Sequence, residues 1–167
     1  MQYKNLRGFG SLIITMLDQG YVEEKMCPIG LASFLLADKW IPIIIRDIAL
    51  FDRRTFNDII NNNEEGISTG SLSTRLKQML HLNLLQVERS EEHIQKKMYY
   101  LTEAGISFVP ILWHLAAWTQ EFRNPSQGNV KSVKRYSSDR MAINSHINIL
   151  RKIHIEKTIQ PEPNRWV

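Results

Sequence analysis

Gly70, Ser73, Thr74, Lys77 and His81 recur at intervals of three and four residues within "STGSLSTRLKQMLH", a stretch without a single acidic side chain. At about 100° per residue this spacing puts all five on one side of a helix. The chemistry they offer is non-covalent. Two hydroxyls and an ammonium supply hydrogen bonds and charge, and the glycine lets a partner come close. A helix meant only to be solvated more often carries Glu–Lys pairs.

Bond-making chemistry finds little support elsewhere. The chain has no paired carboxylates at catalytic spacing, no nucleophile–base set and no glycine-rich phosphate loop, so no enzymatic activity is expected. The five histidines do not form a metal site. His93 belongs to a hairpin tip, His81 and His114 to separate helices, and His146 and His154 stand eight residues apart. Ligand pairs at i, i+4 with supporting residues are missing, so neither a metal nor a cofactor is expected. Cys27, the single cysteine, leaves no internal disulfide and fits a reducing, cytoplasmic compartment.

The elements that position the polar helix face follow from punctuation and periodicity. "GLASFLLADKWIPIIIRDIAL" reads as two apolar helices, around 29–37 and 41–49, with Pro42 tolerated in a first turn. Thr55 is a plausible N-cap for a short helix that buries Phe56, Ile59 and Ile60. "NNNEEG" is turn chemistry, with Gly66 free to adopt the left-handed backbone. Ser68 caps the polar-faced helix. Ile67 and Leu72 can form a hydrophobic staple, and Leu72, Leu76, Met79 and Leu80 make its buried stripe. "LLQVER" and "KKMYYLT" predict two strands of a hairpin with a polar tip between them. Thr102 then caps a long helix, "EAGISFVPILWHLAAWTQEF". Pro110 should kink it unless it starts late, and apolar residues almost all round call for a partner subunit as cover.

Residues 1–123 hold 13 Lys/Arg against 14 Asp/Glu, net −1, whereas residues 124–167 hold 8 against 3, net +5. The formal net charge of +4 therefore lies in the tail, and nucleic-acid binding must be argued from individual charges. The N-terminal "GSLIITML" follows Lys4 and Arg7 but lacks a cleavage pattern, so a packed helix is expected. No stretch is long enough to span a bilayer, and no membrane partner is expected. After Asn124 a Pro/Ser/Gln/Gly linker precedes "SDRMAINSHINILRKIHIEK". There Ile143, Ile147, Leu150 and Ile153 have helical spacing, suiting either a helix packed on a dimer or a basic arm touching DNA. "QPEPNRWV" reads as a disordered end. Three regions result: an N-terminal extension, 1–26; a central domain, 27–123; and a basic, partly helical extension, 124–167.

The order of helices, helix–turn–helix, hairpin and long apolar helix is that of a mainly α winged helix–turn–helix with a dimerisation helix after the wing. Its residues resemble the HxlR-type transcriptional regulators of the wider MarR-like group. The matching pieces are Cys27–Pro28, Lys39–Trp40, "RRTFNDI" at 53–59, "GIS…LSTRLKQML" from Gly66 and "YYLTEAG" at 99–105, in the family's order. Departures are Ala37–Asp38 where the family has a glycine pair, polar Asn63 where it has an apolar residue, and a wing reading "EEHIQKK".

The resemblance implies a homodimer bound to double-stranded DNA. Its recognition helix, 68–81, would enter the major groove, where base edges show distinct donor–acceptor patterns. Ser73, Thr74 and Lys77 would face those edges, and the N-terminal Ser68, Thr69 and Gly70 would approach a phosphate. Arg75, on the flank, is open to two roles, a phosphate clamp or an internal ion pair with Asp58. Arg53 and Arg54 either grip the DNA backbone or balance Asp47 and Asp52. Lys96 and Lys97 would add wing contacts, opposed by Glu91 and Glu92. Phe108, Ile111, Leu112, Leu115 and Trp118 are the expected dimerisation residues. Two recognition helices about 34 Å apart would read an inverted repeat, with repression the expected outcome. Some family members sense oxidants or electrophiles through a cysteine at the position of Cys27. A thiol at a helix N-terminus is activated, though Glu23 and Glu24 oppose the effect of Lys25, and an inert thiol is the alternative. A small-molecule or oxidant effector is thus a possible partner. The contrasting class is a winged-helix module that binds protein without reading DNA.

Overall fold

The computed structural model describes residues 27–36, 38–89, 97–123, 125 and 130–161. Among them lie seven helices and one hairpin: α1 Pro28–Leu36, α2 Trp40–Phe51, α3 Phe56–Asn62, α4 Thr69–His81, β1 Leu85–Arg89, β2 Lys97–Leu101, α5 Glu103–Arg123, α6 Val130–Ser138 and α7 Arg140–His154. The expected helix at 1–26, the hairpin tip with Lys96, and most of the linker and of the final "QPEPNRWV" fall outside the described residues.

Helix α2 is the hub. Its β-branched run puts Ile41, Ile44, Ile45 and Ile48 fully inside, where they meet Ile59 of α3, Leu72, Leu76 and Met79 of α4, Leu101 of β2 and Ile106 of α5. Asp38 starts α2, its Oδ1 accepting from the backbone N–H of Trp40 at 2.9 Å and of Ile41 at 3.3 Å. The expected caps form. Thr55 and Asp58 make a reciprocal capping box on α3, and Ser68 accepts from the Ser71 N–H on α4. Gly66 takes φ +73 in the turn between them.

The strands pair antiparallel in the register Leu85↔Leu101, Gln86↔Tyr100, Val87↔Tyr99, Glu88↔Met98 and Arg89↔Lys97. Alternation then gives the hairpin two faces. Leu85, Tyr99 and Leu101 turn into the core, whereas Gln86, Glu88, Met98 and Tyr100 share the outer face. A bridge between Thr55 and Met98, with the Tyr99 N–H donating to the Arg54 carbonyl at 2.7 Å, ties the hairpin to the entry of α3.

Helix α5 begins at Thr102, whose hydroxyl accepts from the Gly105 N–H, and runs through Pro110 as one helix. Its cover differs from the expectation. Part of its apolar circumference is buried by the chain's own C-terminal helices rather than by a second subunit. Trp113 stacks with Tyr136 of α6 at 5.1 Å between ring centroids, and its Nε1–H donates to His146 Nδ1 of α7 at 3.3 Å. Val133, Tyr136, Ala142 and Leu150 join the same continuous hydrophobic cluster as α2. The basic extension is therefore part of the core and not only an arm.

Candidate nucleic-acid interface

Helix α4 is pinned along one side and open along the other. Leu72, Leu76 and Met79 are buried; Thr69, Gly70, Thr74, Lys77 and His81 are exposed, with Ser73 half-buried at the edge. A Cβ built on Gly70 meets nothing within 4 Å, so internal packing does not require glycine there. Thr74 Oγ1 donates to the Gly70 carbonyl at 2.9 Å, a helical back-bond that a competing acceptor could replace. Beside α4 a cleft of about 610 Å³ separates it from the entry of α3 and from β2. Ser73 and Lys77 stand on one wall, Lys97 and Tyr99 on the other, and Asn57, exposed and unnoticed in the sequence, lies at its edge. Lys97 thus faces the same cleft as Lys77.

The arginines have other work in this structure. Arg53 Nη1 lies 3.3 Å from Asp47, and Arg54 Nε lies 2.6 Å from Asp52 with its guanidinium 5.1 Å from the Tyr100 ring. Burial raises the Asp52 pKa, and the charge of Arg54 partly offsets that rise. Arg75 forms an ion pair, but with Asp38 at 2.5 Å rather than with Asp58, whose carboxylate is occupied in the α3 capping box. Because Asp38 also caps α2, it ties the first turn of α2 to the middle of α4. This acidic residue stands where the resembling family carries glycine.

Of a second tie, only the pairing of Arg53 with Asp47 was legible in the sequence. Asp47 is 0% exposed in the middle of α2, and an unpaired carboxylate there would be very costly. It accepts from Arg46 at 2.7 Å, from Arg53 at 3.3 Å and from Asn63 Nδ2 at 3.4 Å. Arg46 also pairs with Glu65 through both oxygens. Burial opposes the Arg46 charge, yet the hydrogen bonds it donates to Glu65 and Asp47 hold its pKa above the usual range, and Glu65 is held below its own. Asn63 Oδ1 in turn accepts from the Ile67 N–H at 3.1 Å. The polar Asn63 is therefore the joint that fixes the turn between α3 and α4 to α2.

Of the expected dimerisation residues, Phe108 is buried within the chain and Leu112 is partly buried. Ile111, Leu115 and Trp118 are 42%, 43% and 51% exposed, and Phe122, absent from the expectation, is 57% exposed. Cys27 is a free, exposed thiol immediately before α1, its Sγ accepting from the Gly30 N–H at 3.1 Å. Among the described residues no group of three or more His, Cys, Asp or Glu side chains could hold a metal ion.

Comparison with known proteins agrees with this geometry. Residues 35–127 match the family described as HxlR-like helix-turn-helix. An uncharacterized HTH-type transcriptional regulator from Mycobacterium tuberculosis (strain CDC 1551 / Oshkosh) is 29% identical over 100 residues, covering 60% of this chain and 61% of that regulator. The chain thus spans somewhat less than two thirds of that relative's length. The crystal structure of PA1607, a candidate transcription factor, has a TM-score of 0.55 at 22% identity, over 65% of this chain and 74% of that one. At this identity the likeness is one of fold, a winged helix–turn–helix.

Proposed function

Since the chain belongs to the HxlR-like helix-turn-helix family, we propose that it is a dimeric transcriptional regulator that reads an inverted DNA repeat, acting as a repressor. The observation that carries this reading is the open side of α4. Among the described residues nothing packs against Gly70, and Thr74 and Lys77 are exposed at groove-reading spacing. The N-terminal residues Ser68, Thr69 and Gly70 approach the backbone, Ser73, Thr74 and Lys77 reach base edges, and Lys97, with Lys96 beside it in sequence, adds wing contacts. Arg53, Arg54 and Arg75 act chiefly by holding the helices in place, through the ion pairs described above. The exposed side of α5, with Ile111, Leu115, Trp118 and Phe122 at i, i+4, i+7 and i+11, has the spacing of a helix–helix seam and supports a second copy as its cover. Cys27, exposed at a helix start, would modulate binding when oxidised.

The test is selection of bound duplexes from a random pool at two salt concentrations. A symmetric enriched motif, with affinity falling steeply as salt rises, supports the reading. No enrichment at low salt would replace it with a protein-binding module.

A further inference from the structure

The region matched by the family ends at residue 127, yet α6 and α7 share the core and reach the hairpin. Helix α7 ends against the outer face of the wing. Gln86 Nε2 of β1 donates to the His154 carbonyl at 3.1 Å, satisfying one of the carbonyls that a helix end leaves open. The His154 ring, 1% exposed, meets Tyr100 of β2 edge-on at 6.1 Å. Beyond the helix the chain turns back, with the Thr158 N–H donating to the Lys152 carbonyl at 2.9 Å. Lys157 adopts φ +55 there, a left-handed conformation that disfavours a side chain. Its ammonium forms an ion pair with Glu88 and lies 5.0 Å from the Tyr100 ring centroid. At the other edge of this contact Arg151 Nε bonds both oxygens of Glu103, the first residue of α5, at 3.0 Å.

We infer that the C-terminal helices are a brace for the wing, with Gln86, Glu88, His154 and Lys157 as positioning residues for DNA binding. A two-stranded hairpin is marginal by itself, so its orientation depends on what flanks it. Here one face rests on the helix–turn–helix core and the other on the end of α7. The wing is held from both sides, and Lys97 keeps its place across the cleft from Lys77. The inference rests on the DNA-binding reading for its consequence but not for its mechanics.

Charge exchange tests it. Glu88→Lys, Lys157→Glu and the double variant are compared with the wild type in affinity for the selected duplex and in hydrogen exchange of the β1 and β2 amides. The pair is exposed, so all four chains should fold. Each single variant is expected to bind about three- to fivefold more weakly and to exchange faster in the hairpin, with both effects reversed in the exchanged pair. Glu88→Lys is decisive, because added positive charge on the wing would by itself favour DNA binding. Tighter binding by that variant, or hairpin exchange unchanged in both single variants, overturns the brace. If the wild type binds no duplex, the DNA-binding reading fails separately and the exchange measurement still decides the brace.

Discussion

On the proposed DNA-binding reading, Gly70 serves binding while folding does not require it. Its surroundings are empty and its backbone is helical, so Gly70→Ala should leave stability unchanged or raise it by up to about 1 kcal/mol. Affinity for the operator should nevertheless fall by about tenfold, because a methyl group now stands where the groove wall approaches. Equilibrium unfolding and a binding titration on the same preparation check both halves. At this scale the sequence was informative where one residue type has one local job. Thr55, Ser68 and Gly66 all do what their types suggest. It was less informative for charge partners, which depend on the angle between helices. Asp38, not Asp58, meets Arg75; the pairing of Arg53 with Asp47 was one of two roles open to that arginine, but a lone aspartate in the apolar run of α2 gave no sign that Arg46 and Asn63 converge on it as well.

Helix and strand boundaries followed from the apolar period and the caps, because strongly amphipathic segments leave few alternatives. The exception is α6. "VKSVKRYSS" offers Val133 and Tyr136 at i, i+3 amid cations and serines, too short a stripe to announce a helix before Trp113 is seen waiting for it. Gly105 also changes meaning once the elements are assembled. In sequence it is a flaw in a long helix; in the fold, a Cβ there would lie 2.2 Å from the Leu84 carbonyl oxygen. The glycine is what lets α5 press against the strand entry, and neither backbone can give way easily. Gly105→Ala should therefore destabilise the protein by about 2 kcal/mol or more despite alanine's better helix propensity, read as a lower denaturation midpoint. An unchanged midpoint would mean that α5 does not seat on the hairpin in this way.

The whole molecule joins two histidines to its stability. His146 and His154 are buried in the contacts of α7, and burial pushes both down to about 3 from an ordinary 6.5, with Arg54 adding to the effect at His154. The unfolded chain takes up these protons below about pH 6.5, whereas the folded chain refuses them until about pH 3. Stability is thus complete above 6.5 and is lost as pH falls through that window, by up to about 1.4 kcal/mol per pH unit for each histidine. Thermal unfolding between pH 7.5 and 4.5 should show a falling Tm, flattened in His154→Phe; a flat wild-type profile would contradict the burial. Assembly is a second property of this scale. Leu115→Glu with Trp118→Glu places charge on the exposed seam of α5, so sedimentation should show a monomer with weakened operator binding. Retention of a wild-type dimer would move the interface elsewhere. The all-round apolar character of α5 was plain in the sequence, but how much of it the chain's own tail covers was not, because α6 and α7 come from the segment that resembles nothing in the family pattern. One comparison isolates the open side of α4. The affinity of the wild type and of Thr74→Ala/Lys77→Ala is measured for the selected duplex and for an unrelated duplex of equal length at one salt concentration. The wild type should show a preference of about a thousandfold or more that collapses towards one in the variant, with the unfolding midpoint unchanged. A preference that survives the double substitution would contradict the proposed role of that side.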